Sequence, residues 1–332
     1  MKLLILQLSD IHFKADTDLI DRFSKISQVI TAHHYEYERI LLIITGDIAF
    51  SGHDKEYEVA EVHISGLMDE IEKLHGMRPL ISIIPGNHDC DFSISKNKIR
   101  EKLIDDVIKD NYSAIYESVL ELCKTVQGNY ESFSKHYNSV DDVFIDGLMK
   151  INKCDVLGKI ITIISLNTSW MSRLHEEEGK HFFPIKNLNE YEIDVKSDLV
   201  ISILHHPYPW FNVLNRQELK TFLEKNSDII ITGHEHVDSK ELHFDLIEKY
   251  TEYIAGDVFN DSDLSNNSGF NIIEINFENM HHRITNYKID NDLYKLASQS
   301  DWFCYKRNLS ISKKFFEISD AFLQYLNDVG AK

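Results

Sequence analysis

The sequence predicts a layered α/β protein, and two observations carry that expectation. Five short apolar runs, KLLILQL (2–8), RILLIIT (39–45), PLISIIP (79–85), KIITIIS (159–165) and LVISIL (199–204), are continuous, and DIIIT (228–232) is a shorter sixth. Unbroken Ile/Leu runs of this length are strands buried on both faces, because a strand with one wet face would alternate. Helically spaced segments lie between several of them, and alternating strands and helices pack in layers.

In chain order, the first run is followed by IDRFSKISQVITAHH (20–34), where Ile20, Phe23, Ile26, Ile30 and Ala32 fall near one side of a helix. After the second run, EYEVAEVHISGLMDEIEKLHG (56–76) reads as a helix ending at Gly76. Residues 92–157 interrupt the rhythm with KNKIREKLIDDVIKD and AIYESVLELCKTV. A segment that long between core strands is expected to be a largely helical cap, with an oligomer interface as its rival reading. Beyond Asp228, KELHFDLIEKYTEYIAGD and FNIIEINFEN…HRITNYKI alternate as antiparallel hairpins do. The expected division is a main domain over 1–298 and a helical tail over 299–332. The tail contains ISKKFFEISDAFLQYLND, an amphipathic stretch suited to a partner or a second copy.

The 332 residues are 43% hydrophobic, enough for a full core, and carry 54 acidic against 35 basic side chains. That net −19 disfavours non-specific binding to nucleic acid or anionic membrane and favours divalent cations. The basic islands SKNKIREK (95–102) and ISKKFF (311–316) read as solvated helix faces. Four scattered cysteines, no secretory signal and no run of ~20 apolar residues give the expectation of a soluble cytoplasmic protein.

The chemistry gathers at the strand ends. The first run ends in SDIHF, with Asp10 and His12. The second ends in TGDIAF, with Asp47, and the third in PGNHD, with Asn87, His88 and Asp89. LVISIL ends in HHPYPW, with His205 and His206, and the sixth run ends in TGHEH, with His234 and His236. Open α/β sheets place their sites at the carboxyl ends of strands. Gly46, Gly86 and Gly233 let the chain turn and approach closely there. Seven N/O ligands without a thiolate suit Mn, Fe, Zn or Co, with Ni as an in-vitro substitute, and exceed what one tetrahedral ion uses. Two ions sharing a carboxylate would use them all.

D-x-H, G-D, G-N-H-D, H and G-H-x-H in this order resemble the calcineurin-like metallophosphoesterase superfamily, over roughly residues 1–92 and 159–290. The resemblance implies a four-layer α/β/β/α sandwich with a dinuclear metal centre at one edge. It implies that Asp10, His12 and His236 bind one ion, that Asn87, His205 and His234 bind the other, and that Asp47 bridges them. His205 is preferred to His206 because it heads the family's H-x-P pattern. His88 then becomes the catalytic imidazole and Asp89 the group that orients it. The expected reaction is attack of a metal-activated hydroxide on a phosphate ester. A nucleotide-type phosphodiester ranks first, with Tyr208, Trp210 and Phe211 as candidates to stack on a base. A phosphomonoester or phosphoprotein ranks second and a DNA or RNA strand third; a metal-binding scaffold is the non-enzymatic alternative.

Overall fold

A computed structural model of the chain describes residues 1–33, 37–112, 115–138, 142–145, 147–185, 197–235, 240–245, 249–259 and 268–305. Its elements follow the order β1 (Lys2–Leu8), α1 (Ile20–His33), β2 (Arg39–Ile44), α2 (Asp54–His75), β3 (Leu80–Ile83), α3 (Asn97–Lys109), α4 (Glu117–Lys124) and α5 (Gly128–Ser134). They continue with β4 (Val143–Ile145), β5 (Met149–Val156), β6 (Lys159–Leu166), β7 (Leu199–Leu204), α6 (Val213–Asn226) and β8 (Ile229–Thr232). The last are β9 (Lys240–Asp245), β10 (Lys249–Ala255), β11 (Gly269–Asn276), β12 (His281–Asp290), β13 (Leu293–Gln299) and β14 (Phe303–Cys304).

The strands form two seven-stranded sheets. One runs β13-β12-β11-β1-β2-β3 with β14 beside β12, and the other runs β4-β5-β6-β7-β8-β10-β9. In the first sheet β1, β2 and β3 are parallel, and in the second β6, β7, β8 and β10 are parallel. Each strand's period of two assigns its apolar residues to two different cores. Leu3 and Ile5 of β1 face Ile161, Ile163, Ile201, Ile203 and Ile229 of the other sheet in a central cluster. Leu4, Leu6 and Leu8 of the same strand face outward onto Phe23, Ile26 and Ile30 of α1 and Ala60, Ile64 and Leu67 of α2. On the far side Ile164, Leu166, Val200 and Leu204 meet Leu219, Phe222 and Leu223 of α6. The result is the expected four-layer α/β/β/α sandwich.

The segment 92–157 differs in part from its reading as a cap. Its helices close over the sandwich: Ile104 and Val107 of α3 and Leu120 and Cys123 of α4 join the outer core of the second sheet. Tyr130 and Phe133 of α5 join the outer core of the first. Near its end it forms strand β5, paired antiparallel with β6 from Met149↔Leu166 to Val156↔Lys159. Its burial is mostly intermediate, as for a strand near a sheet edge, so no strong apolar run marked it. Arg100, assigned from sequence to a solvated basic island, is fully buried. Its guanidinium donates to the carbonyls of Cys123 (2.7 Å), Trp170 (3.2 Å) and Ser172 (2.6 Å). The apolar faces of α3 and α4 explain both results, since a helix with a face to bury takes the nearest uncovered core. The amphipathic stretch beginning at Ile311 lies outside the described residues.

Candidate metal centre

The parallel strands deliver their carboxyl ends to one edge, and the loops there bond to one another. The Ile11 and His12 amides donate to the Asp47 carbonyl at 2.9 and 3.0 Å, and the Asp10 amide donates to the Gly46 carbonyl at 3.2 Å. Across the sandwich, His205 Nδ1 lies 2.8 Å from the Thr45 carbonyl. Four residues at this edge hold left-handed backbones without being glycine: Asp10 (φ 53°), His12 (φ 54°), Asp47 (φ 53°) and His234 (φ 70°). Such conformations cost on the order of 1–3 kcal/mol each and persist where surrounding structure enforces them, typically at functional sites. Gly86 is required by proximity: a Cβ there would stand 2.1 Å from Asp47 Oδ1. Gly46, at φ 96°, would place one 2.5 Å from His205 Nδ1.

Asp47 occupies the middle of the cluster. Its carboxylate belongs with His12 and His88 in one group of potential ligand atoms and with Asp10 and His205 in another, each within 4.8 Å. Asp47 Oδ1 accepts from the His88 amide at 2.8 Å and lies 3.4 Å from His205 Nε2. Burial acts to raise the Asp47 carboxyl, but the neighbouring His205, His12 and His88 imidazoles hold it well below the usual carboxylate range. Asn87 Oδ1 sits 3.0 Å from His205 Nε2 and 3.0 Å from His234 Nδ1, and those two nitrogens are 3.2 Å apart. Burial, with His206 and His205 close by, lowers the His234 imidazole to about 2. Asp10 is fixed by the Ser9 hydroxyl and by the His234 amide at 3.2 Å.

The imidazoles are set for ligation. With the Thr45 carbonyl accepting from Nδ1–H of His205, Nε2 is the ring nitrogen open to a metal ion, an arrangement that orients metal-binding histidines. A backbone carbonyl likewise holds His88, whose Nδ1 is 2.7 Å from the Phe50 oxygen. The donor set is therefore imidazole, carboxylate and one amide oxygen, converging on a shared carboxylate. It fits a pair of divalent ions. Of the seven expected ligands, Asp10, His12, Asp47, Asn87, His205 and His234 come together, and His236 lies outside the described residues.

Two expectations change. Asp89 does not orient His88. Its carboxylate is completely buried and accepts from the amides of Ile48 (3.2 Å), Ala49 (2.9 Å) and Gly86 (2.8 Å) and from the Tyr57 hydroxyl (2.9 Å). It ties the β2 and β3 loops to α2; burial and the Asp47 charge raise it to about 6, against those backbone donors. Tyr208 and Phe211 do not face a ligand, because both pack in the outer core of the second sheet. Trp210 is half-buried and sets its ring edge-on to His234, 4.2 Å between centroids. Cys90 is buried, which pushes its thiol well up and leaves it the packing residue its size suggests.

Sequence reasoning missed three residues. Phe50 is 37% exposed, 5.7 Å from the His88 ring, with Lys14 Nζ 4.2 Å from its own ring centroid. Its signal was present in TGDIAF, an aromatic directly after the ligand loop. Glu176 and His181 come from RLHEEEGKH, a charged loop without distinguishing pattern, yet both contact His206.

Residues 3–238 match the calcineurin-like phosphoesterase family. No curated protein sequence matches the chain. Among solved structures, purple acid phosphatase PPD1 from yellow lupin (Lupinus luteus) seeds is similar in fold at 12% identity and a TM-score of 0.50, over 89% of this chain and 53% of that one. Vacuolar protein sorting 29 from Cryptosporidium parvum aligns at 11% identity and a TM-score of 0.39, over 91% of this chain and 98% of that one. Zinc-complexed Vps29 from Entamoeba histolytica aligns at 13% and 0.35, over 91% and 99%.

Proposed function

The chain belongs to the calcineurin-like phosphoesterase family, and we propose that it is a dinuclear metal-dependent phosphodiesterase acting on a nucleotide-type substrate. The observation that carries this reading is the Asp47 carboxylate, common to two groups of potential ligands. In this reading Asp10, His12 and His236 would hold one ion and Asn87, His205 and His234 the other, with Asp47 shared by both. When bound, two such ions supply Lewis acidity toward phosphoryl oxygens and lower the pKa of water toward neutrality.

The chain's own residues do the rest. Asn87 contributes a neutral oxygen, which limits the negative charge gathered at the centre. His88, anchored through Nδ1 on Phe50, keeps Nε2 as its remaining ring nitrogen to meet a phosphoryl or leaving-group oxygen. Asp89 acts one step back, as the clamp that holds the His88 and Asp47 loops in register. Trp210 beside His234 and Phe50 beside His88 flank the cluster with aromatic surface, which supports a substrate carrying a base. Lys14 near Phe50 supports an anionic one. The cytoplasmic setting is our assignment too, supported by four cysteines that are all free thiols.

Turnover of protein loaded with Mn or Zn tests the reading across an aryl phosphate diester, an aryl monoester, cyclic nucleotides and single- and double-stranded DNA. Cyclic nucleotides and the diester should be hydrolysed at least tenfold faster than the monoester. Preference for the monoester would make this a phosphomonoesterase. Cleavage of DNA alone would make it a nuclease, and no turnover with any metal would leave a scaffold.

A further inference from the structure

We propose that Glu176, His181 and His206 form a further binding site for one divalent cation, adjoining the main centre at His206. His206 Nε2 lies 3.1 Å from one carboxylate oxygen of Glu176, and His181 Nε2 lies 3.2 Å from the other. The three ligand atoms are mutually within 4.8 Å. The imidazole rings are 4.1 Å apart and inclined by only 31°, so both offer Nε2 to the same carboxylate. This is a two-histidine, one-carboxylate set, suited to borderline divalent ions such as Zn, Fe(II), Co or Mn.

Three further features belong to a built cation site. First, the carboxylate side chain is only 6% exposed, and its ion-pair partners among the described residues are these two imidazoles, with no lysine or arginine. A buried carboxylate is costly without a cation or a full set of donors. Second, the ligands are held from behind. The Thr168 hydroxyl lies 3.0 Å from His206 Nδ1, as an outer-shell partner should. The backbone of His181 is pinned on both sides, its amide to the Trp210 carbonyl at 2.9 Å and its carbonyl to the Asn212 amide at 2.9 Å. Third, the site has access: a cavity of about 240 Å³ has Glu176 and His181 in its wall, leaving room for water as a further ligand. His206 also falls in a ligand group with His205 and His234, so the proposed site adjoins the main centre through this imidazole while its Nε2 meets the Glu176 carboxylate.

Zinc content per chain after equilibrium dialysis tests the assignment on the wild type and on Glu176→Gln and His181→Asn, with folding checked by circular dichroism. Each variant should hold one ion fewer than the wild type. The same one-ion difference should persist on an Asp47→Ala background, whatever number of ions the main centre keeps there, so a failure of the dinuclear reading and a failure of this one are told apart. Thr168→Val leaves all three ligands in place and should weaken the extra ion roughly tenfold. Equal zinc content in the wild type and both single variants, with unchanged affinity in Thr168→Val, would overturn the proposal and leave the triad as a buried hydrogen-bonded network.

Discussion

His88 stands where two roles meet. It shares a ligand group with His12 and Asp47, and its Nδ1 is held by the Phe50 carbonyl, which leaves Nε2 for the substrate oxygen in the role proposed above. His88→Ala is therefore expected to keep its metal and lose turnover by ~10²–10⁴-fold, the range for removing an acid–base or charge-stabilising group. Elemental analysis beside kinetics decides it, since loss of an ion would make His88 a ligand. Asp89 should behave in the opposite way. Asp89→Ala strips acceptors from three buried amides and the Tyr57 hydroxyl, at about 1–3 kcal/mol for each donor left unsatisfied. Denaturant unfolding should show a loss several times that of Tyr57→Phe, and equal stability of Asp89→Ala and wild type would restore a purely catalytic role. Trp210→Ala and Phe50→Ala should each raise KM for a nucleotide substrate about tenfold, from ~1–3 kcal/mol of stacking, with little effect on a small aryl ester. Equal effects on both substrates would remove them as a base platform.

The elements divide between those that were legible as pattern and those that required the third dimension. β1, β2, β6, β7 and β8 could be read from continuous Ile/Leu runs because a strand between two layers needs apolar residues on both faces. α2 could be read to its last turn, since Gly76 at φ 80° closes it with its amide on the Glu72 carbonyl at 2.8 Å. β5 escaped because a strand near the sheet edge needs no apolar run. The convergence of six of the seven expected ligands was legible because each follows its strand directly. The role of Asp89 was not, because Tyr57 and Ile48 approach it only after folding. Glu176 and His181 were invisible for the same reason. Arg100 marks the largest misreading, a charge expected in water that instead joins α3 to the ends of α4 and the Trp170 loop. Arg100→Met should lower unfolding stability by on the order of 3 kcal/mol or more, as three carbonyls lose a charged donor. Metal content should stay the same; a neutral effect on stability would mean that these bonds are readily replaced by water.

At the scale of the whole molecule, two parallel strand sets aim their carboxyl ends at one edge, and the function proposed depends on that convergence. The first sheet supplies Asp10, His12, Asp47, Asn87 and His88, and the second supplies His205 and His234. Neither sheet alone carries a complete set, so the contacts between His205, Asn87 and Thr45 couple metal affinity to the packing of the sandwich. The acidic surface, net −19, favours cations over a polyanionic partner. Metal-dependent hydrolysis of an aryl phosphate diester by the wild type and by Asp47→Asn, each loaded with Mn, decides whether a shared carboxylate runs the chemistry. Turnover should be abolished by chelation, restored by Mn, and lowered ~10³-fold in Asp47→Asn, as for loss of a group that stabilises the transition state electrostatically. Hydrolysis that survives chelation, or an Asp47→Asn protein as active as the wild type, would contradict it.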